Sequence, residues 1–332
     1  MKHVNLRIVY CLLSAVYFFS SCSNNTTSTQ PENNNLKPET SLPPAPAFNP
    51  DSAYALLKAQ VDFGPRVPGT KAHAACAEYL VSKLSSYGWE VQVQNGSIRT
   101  YDGKNFNLKN IIASWKPENN ERVLLLSHWD TRHIADQDTV GRDKPGDGAD
   151  DGASGTAVLV ELARQFSISK PNVGVDILLD DIEDYGDQSR NDEDTWCLGT
   201  QYWARNPHKP GYVAQYGILL DMVGAKNATF PKEGNSTEYA PYVVKKIWNK
   251  AAHLGYSNYF VFQDASAITD DNYYVITGAN IPCADIVNMN ASTGRFGAHH
   301  HTHNDNMNII DKATLKAVGQ TLLEVVWEEQ HP

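Results

Sequence analysis

Short runs of apolar residues alternate along the chain with longer segments in which apolar residues recur every three or four positions. The segment KAHAACAEYLVSKLSS at 71–86 predicts an amphipathic helix with one buried face. Similar spacing, together with turn residues and glycines at the ends, predicts further helices at 153–166, 241–255 and 313–330. Compact apolar runs predict buried strands at 123–127, 173–181, 216–224 and 281–289.

The order of these elements indicates the fold. Strands that alternate with helices form a mostly parallel sheet, because a parallel neighbour requires a crossover connection. The predicted strands are apolar on both faces, so helices must cover both sides of the sheet. We therefore predict a single three-layer α/β domain at 51–332, with a mixed, mostly parallel central sheet and helices on both faces.

The first residues have the features of an export signal. A basic start is followed by IVYCLLSAVYFF at 8–19, an uncharged run with the length of a signal-peptide core but short for a membrane span. Two serines then precede Cys22, which resembles a bacterial lipoprotein cleavage site, although Phe19 stands where leucine is usual. We predict a signal peptide at 1–21 and a lipid on Cys22, with ordinary cleavage nearby as the alternative.

The segment after this signal differs from the rest of the chain. Residues 23–48 are rich in Asn, Thr, Ser and Pro and poor in apolar residues, so they cannot bury enough surface to fold. We predict a disordered tether over 22–50 and a folded domain that begins near Asp51. The protein would then be exported, periplasmic and monomeric, and it would contact a membrane only through the lipid on Cys22.

Composition narrows the range of functions. The chain has 332 residues, of which 41% are hydrophobic, enough for one large α/β domain with a buried core. Its formal net charge is -10 and no basic stripe is visible, which argues against nucleic-acid binding. Outside the export segment the cysteines form no CxxC pair, so neither a disulfide framework nor a thiolate zinc site is expected from Cys76, Cys197 and Cys283.

Acidic residues lie at the carboxyl ends of three predicted strands. Asp130 follows the first strand, Glu183 and Asp184 follow the second, and Asp221 follows GILL in the third. In open α/β sheets the ligand crevice lies outside these strand ends. Scattered surface acids would not show this arrangement, so we expect the side chains to form one site.

Several segments together indicate a metal centre at this edge: SHWDT at 127–131, GADDGASG at 148–155, DDIED at 180–184, LLDMVG at 219–224 and HHHTHND at 299–305. Each alone has a simpler explanation, because acidic pairs are common in solvated loops and a Gly-rich segment with Asp can simply begin a helix. Without thiolates, zinc takes nitrogen and oxygen ligands, and a catalytic site keeps one position open. Asp151, Asp184 and His301 could supply three ligands, and the adjacent Glu183 could act as general acid/base.

These segments resemble the motifs of the M28 zinc-peptidase-like family, from about Asp51 to the C-terminus. Within that family the chain is similar to animal-like glutaminyl-peptide cyclotransferases. Two of its segments resemble theirs: LLDMVGAKNATFP at 219–231 and HTHNDNMNIID at 301–311. The resemblance implies a zinc-dependent acyltransferase with one zinc ion per chain. Its substrates would be peptides and proteins with N-terminal glutamine, which it converts to pyroglutamate with release of ammonia.

The resemblance also implies roles for individual residues. Three would bind the zinc ion: Asp151, Asp184 and His301. Three would form the catalytic group, in which the glutamate is the acid/base and the aspartates support it by hydrogen bonds: Glu183, Asp221 and Asp271. Three would form walls of the substrate pocket: Trp129, Trp196 and His300.

The chain departs from the animal enzymes at several of these positions. Asp184 stands where they have glutamate, and His300 stands where they have tryptophan. Their paired cysteines, beside the first motif and the metal-binding aspartate, are absent here. The pocket wall at His300 is therefore expected to differ from theirs.

A di-zinc aminopeptidase of the same family is the alternative. There Asp151 would bridge two zinc ions, His128 and Asp221 would hold the second ion, and Glu183 would activate water. All of these residues are present in the sequence, so hydrolysis stays open. The 219–231 segment and the tryptophans favour cyclisation, and a lipoprotein that only binds peptides or sugars would not need a glutamate beside a metal ligand.

Overall fold

The computed structural model describes residues 43–189 and 192–330. The α-helices in this part of the chain are α1 Pro50–Val61, α2 Lys71–Ser86, α3 Ala153–Ser169, α4 Leu198–Arg205, α5 Gly234–Tyr239, α6 Pro241–His253, α7 Asp271–Ala279 and α8 Lys312–Trp327. The strands are β1 Glu90–Arg99, β2 Asn105–Trp115, β3 Arg122–His128, β4 Gly174–Asp180, β5 Gly217–Asp221, β6 Phe230–Lys232, β7 Phe260–Asp264 and β8 Cys283–Val287.

Six strands form the central sheet, in the order β1-β2-β4-β3-β5-β8. The pairs β4–β3, β3–β5 and β5–β8 are parallel, whereas β2 is antiparallel to both β4 and β1. The four parallel strands are those that the apolar runs predict, which confirms the mixed, mostly parallel sheet. Strands β6 and β7 form a separate two-stranded parallel sheet.

Successive residues of the central strands enter two different hydrophobic clusters. In β3, Val123 and Leu125 pack in a cluster that includes residues of α1, α2, α3, α6 and α8. Leu124 and Leu126 pack on the opposite face, with residues of α4 and α7. Because side chains of a strand alternate between faces, this division places helices on both sides of the sheet and confirms the three layers. Each fully buried leucine contributes about 1.5–3 kcal/mol relative to an exposed one.

The sequence predicts that the folded domain starts near Asp51, but in the structure it starts several residues earlier. Phe48 is buried, and its backbone N–H donates to the side chain of Gln320 at 2.8 Å. The indole N–H of Trp327 donates to the carbonyl oxygen of Pro43 at 2.7 Å. The last residues of the expected tether are therefore bound to α8, because one aromatic side chain and the backbone carbonyls find partners there.

The other N-terminal features lie outside the described residues. These are the signal peptide at 1–21, Cys22 and the tether up to residue 42, and they stay predictions. None of the helices in the described part of the chain has the length and apolar composition that a membrane span requires.

Candidate metal centre

The carboxyl ends of three neighbouring strands bring their last residues to one edge of the sheet. β3 ends at His128, β4 at Asp180 and β5 at Asp221. Strand β3 lies between β4 and β5, so the segments that follow these strands converge. The acidic pair Glu183–Asp184 therefore lies beside His128 and Asp221, as the strand pattern predicts.

The segment before α3 carries Asp151 to the same edge. Gly152 has a φ of +91°, a conformation that L side chains rarely adopt, and a Cβ there would lie 2.5 Å from the carbonyl oxygen of Asp130. Glycine thus permits the start of α3 to lie directly against the end of β3. Asp305, in the His-rich segment, accepts the backbone N–H groups of Asp150 and Asp151 at 2.7 and 3.2 Å and fixes this loop from the other side.

The three predicted zinc ligands lie together. His301 Nε2 is 3.0 Å from Asp184 Oδ1 and 3.6 Å from Asp151 Oδ2. Two ligands of a tetrahedral zinc ion are separated by roughly 3.3 Å. Asp184 Oδ1 is buried and has no hydrogen-bond partner among the described residues, although the imidazole nitrogen is so close. Nitrogen and oxygen lone pairs at ligand spacing that are not hydrogen-bonded to each other suit a zinc ion. The structure brings ligand atoms of Asp151, His300 and His301 within 4.8 Å of one another, and Asp184 joins them through its contact with His301.

Aromatic rings hold His301 in place. It has a φ of +53°, in the left-handed region, and its ring stacks on that of His300 with centroids 3.6 Å apart. The indole of Trp196 lies parallel to it, at 5.9 Å and 6°. Burial, and next the charge of Arg132, lower the pKa of His301 to about 4. At neutral pH the imidazole is therefore uncharged, which is the form that binds a metal.

A second group of possible ligands shares Asp151. His128 Nε2 is 3.1 Å from Asp151 Oδ1 and 3.3 Å from Asp221 Oδ1. Asp151 thus presents one oxygen to His301 and the other to His128, as the di-zinc alternative requires. Burial alone would lower the pKa of His128, but the carboxylates of Asp130, Asp151 and Asp221 around the ring raise it well above its usual value. As an imidazolium, His128 can balance these carboxylates without a second ion.

Glu183 is held by its backbone and by one side-chain oxygen. Its N–H donates to Asp130 Oδ1 at 3.2 Å, and its carbonyl oxygen accepts the N–H of Cys197 at 3.0 Å. The Cys197 thiol donates to Glu183 Oε1 at 3.4 Å. Burial, opposed by His128 and reinforced by Asp184, raises the pKa of Glu183 well above its usual value. A raised pKa suits a carboxyl group that must both accept and release a proton near neutral pH.

A cavity of about 420 Å³ opens beside these residues. Its walls combine aromatic and apolar side chains: Trp196, Met222, Ile268, Phe296 and His300. Carboxyl groups face it from several elements: Asp151, Glu183, Asp184, Asp221 and Asp270. Such a cavity suits a small substrate group that carries an amine, held between apolar walls.

Trp129, which the resemblance places in the pocket wall, does not line this cavity. It is fully buried, its ring stacks on His73 at 4.3 Å, and its indole N–H donates to the carbonyl oxygen of Lys109 at 3.3 Å. Neighbouring side chains of an extended chain point to opposite sides. Because His128 points into the site, Trp129 points into the core, and the prediction for Trp129 is corrected accordingly.

Asp271 does not line the cavity either. It is the first residue of α7 and is fully buried, and after burial itself its charge is the main cause of the raised pKa of Asp180. The preceding residue, Asp270, lines the cavity instead, and its carboxylate, the Cys197 thiol and the Glu183 carboxylate have atoms within 4.8 Å of one another. Two adjacent aspartates in TDDNYY were a usable indication, but only the start of α7 determines which one faces the site.

The geometry can be compared with known proteins. The family model of Peptidase family M28 matches residues 110–326. A glutaminyl-peptide cyclotransferase from Drosophila melanogaster is 25% identical over 273 residues, which cover 75% of this chain and 73% of that protein. A solved Zn-dependent exopeptidase from Parabacteroides distasonis is 51% identical, with a TM-score of 0.83 over 86% of this chain and 99% of its own.

A glutaminyl cyclase is equally similar in structure. The enzyme from Bacteroides thetaiotaomicron, solved with N-acetylhistamine bound, is 48% identical, with a TM-score of 0.83 over 86% of this chain and 99% of its own. The matched family segment contains every ligand candidate described above. These findings confirm the resemblance on which the residue roles were assigned, and the chain belongs to Peptidase family M28.

Proposed function

We propose that this enzyme is a glutaminyl-peptide cyclotransferase, which converts the N-terminal glutamine of peptides and proteins to pyroglutamate. The observation that carries the proposal is the position of Glu183. Its carboxyl group has a raised pKa and opens onto an aromatic-walled cavity beside three ligand candidates. The similarity to a bacterial glutaminyl cyclase at 48% identity supports this choice of reaction.

The reaction takes place within one substrate molecule. The α-amine nitrogen attacks the side-chain carbonyl carbon, a C–N bond closes the five-membered lactam, and the bond to the amide nitrogen breaks. Because both groups belong to one molecule, holding them in the reactive conformation supplies much of the rate enhancement. The rings of Trp196 and His300 border the cavity and restrict the conformations of a bound glutamine side chain.

Glu183 moves the proton. It accepts a proton from the attacking amine and passes it to the leaving nitrogen, which departs as ammonia. Since Oε1 accepts the thiol of Cys197, Oε2 is the oxygen available for this exchange. Asp221 and Asp270 also line the cavity, where their carboxyl groups can accept hydrogen bonds from the amine.

We propose one zinc ion per chain, held by Asp151, Asp184 and His301. When bound there, zinc supplies a Lewis acid that polarises the carbonyl oxygen of the substrate. Three protein ligands would leave one coordination position open, as is typical of catalytic zinc sites. No water has to be activated for cyclisation.

The family alternative is an aminopeptidase. The grouping of His128, Asp151 and Asp221 favours it, since this grouping would hold a second ion, and so does the similarity to a Zn-dependent exopeptidase. Mass spectrometry of a glutaminyl peptide after incubation with the enzyme distinguishes the two. Loss of one ammonia from the intact peptide supports cyclisation, and release of a free amino acid would show hydrolysis.

We also propose that the enzyme is an exported, monomeric lipoprotein of the periplasm. The support is the uncharged run at 8–19 followed by Cys22. Substrates would then be peptides that reach this compartment.

A further inference from the structure

We propose that Arg132 is a positioning residue that holds one wall of the substrate cavity and two zinc-ligand candidates in a single arrangement. The inference deepens the proposed function and rests on it for the part that concerns substrate binding. Arg132 is buried, with 4% of its side chain exposed, and it is not among the residues that line the 420 Å³ cavity.

All three nitrogens of the Arg132 guanidinium group donate hydrogen bonds. Nε and Nη2 donate to the two carboxylate oxygens of Asp136, at 2.8 and 2.6 Å. Nη1 donates to the carbonyl oxygens of Asp184 and Gly186, at 3.1 and 3.3 Å. Arg132 therefore ties the loop after β3 to the backbone that carries Asp184, with a bidentate pair on one side and two carbonyl groups on the other.

The same group reaches both ligand side chains. Its Nη1 is 3.6 Å from Asp184 Oδ1 and so balances the charge of that carboxylate. Its partner Asp136 places Oδ1 3.6 Å from Nδ1 of His301, a nitrogen with no hydrogen-bond partner among the described residues. A carboxylate that faces the far nitrogen of a metal-binding histidine sets its tautomer and ring orientation. Arg132 thus acts on His301 through Asp136.

Arg132 also supports the cavity wall. Its guanidinium lies over the indole of Trp196, 4.6 Å from the ring centroid, and this indole is parallel to the ring of His301. A Cβ on Gly186 would lie 2.0 Å from the indole, so Trp196 rests directly on the backbone that Arg132 binds. The wall and the ligand Asp184 are therefore positioned by one side chain.

Replacing Arg132 by lysine keeps the positive charge but removes the planar shape of the guanidinium group. An ammonium group keeps the positive charge, but it cannot hold a carboxylate in a fork, bind two carbonyl groups and stack on an indole at once. Arg132→Lys is therefore the informative variant. Arg164→Lys is the matched control, because Arg164 also donates two hydrogen bonds to one carboxylate, that of Glu161 on the same helix, but that pair involves no ligand candidate and no residue of the cavity wall.

The test measures zinc affinity by chelator competition, and kcat and KM for a glutaminyl peptide at saturating zinc. We expect Arg132→Lys to bind zinc roughly 10–100-fold more weakly than wild type. We expect its KM to rise by about three- to tenfold, as the loss of a desolvated cation–π contact implies, with a smaller change in kcat. Arg164→Lys should match wild type in all three quantities.

Wild-type zinc affinity and wild-type KM in folded Arg132→Lys would overturn the inference. If Arg132→Lys does not fold, Asp136→Asn tests the proposal instead. It leaves the guanidinium in place but removes the carboxylate between Arg132 and His301, so it must weaken zinc binding, and an unchanged affinity counts against the proposal. If the wild type binds zinc but does not cyclise the peptide, the proposed function fails, while the zinc measurements still decide the role of Arg132.

Discussion

Replacing Glu183 by glutamine removes the proton acceptor of the proposed reaction while its space in the cavity stays filled. Only 14% of the side chain is exposed, and the amide oxygen can still accept the Cys197 thiol. A positioned general acid/base contributes about 10²–10⁴-fold to the rate. We therefore expect kcat to fall by that factor, about 2.7–5.5 kcal/mol of transition-state stabilisation.

Zinc content and stability should change little in the same variant. Glu183 is not among the three ligand candidates, and removing a carboxylate beside Asp184 and Asp270 relieves repulsion. The assay is steady-state release of ammonia from a glutaminyl peptide, with zinc measured by elemental analysis and folding by thermal melting. Glu183→Asp keeps a carboxylate but moves it back by one methylene group, so it should retain more activity than Glu183→Gln. A folded Glu183→Gln that keeps more than about a tenth of kcat, or that loses its zinc, would refute the assignment.

Three further predictions concern other parts of the chain. Glu233 is fully buried, and its side chain accepts a hydrogen bond, at 3.1 Å, from the backbone N–H of Ile268 in the cavity wall. Glu233→Gln should lower the free energy of unfolding, measured by urea titration, by about 1–3 kcal/mol. An unchanged free energy of unfolding would contradict this anchoring role. Cys22→Ser should move the enzyme from the membrane fraction to the soluble fraction of cells, and unaltered fractionation would exclude the lipid. Burial, and then the charge of Arg132, lower the pKa of His133 to about 4. The unfolded chain binds this proton at about pH 6.5, so the free energy of unfolding should fall as the pH drops from about 6.5 towards 4, and His133→Gln should reduce that slope.

The centre of the fold is well predicted by the sequence, and its edge is not. Helix α2 has the bounds of the periodic segment at 71–86, and the four apolar runs are the four parallel strands. Strands β1 and β2 were missed for different reasons. β1 is an edge strand with half of its residues exposed and polar residues at most positions, whereas β2 is an inner strand whose first half is mostly polar and whose buried apolar stretch is short. Burial on both faces leaves a strong pattern in the sequence, whereas pairing at an edge leaves a weak one.

For the site, the sequence predicts which residues come together better than it predicts how each side chain is oriented. Asp151, Asp184 and His301 are far apart in the chain, yet they were predicted together because strand ends of a parallel sheet meet at one edge. The orientation of single side chains was harder to predict, as Trp129 and Asp271 show. Alternation that continues one residue past the end of β3 accounts for Trp129, but the choice between two adjacent aspartates depends on where α7 begins.

Arg132 illustrates what the pattern does not contain. In SHWDTR it looks like a polar loop residue, and nothing in the sequence indicates that it is buried. Its burial depends on Asp136, on two carbonyl groups and on Trp196, which come from three separate segments. Such an arrangement can be recognised only once these segments are placed in space.

We propose that Asp151, Asp184 and His301 surround one zinc ion, and that Glu183 lies beside the ion without binding it. Anomalous diffraction at the zinc edge, on crystals grown with excess zinc, locates each bound ion. We expect a single strong peak within bonding distance of those three side chains. Two peaks that share Asp151, the second bound by His128 and Asp221, would contradict it and would point to the aminopeptidase instead.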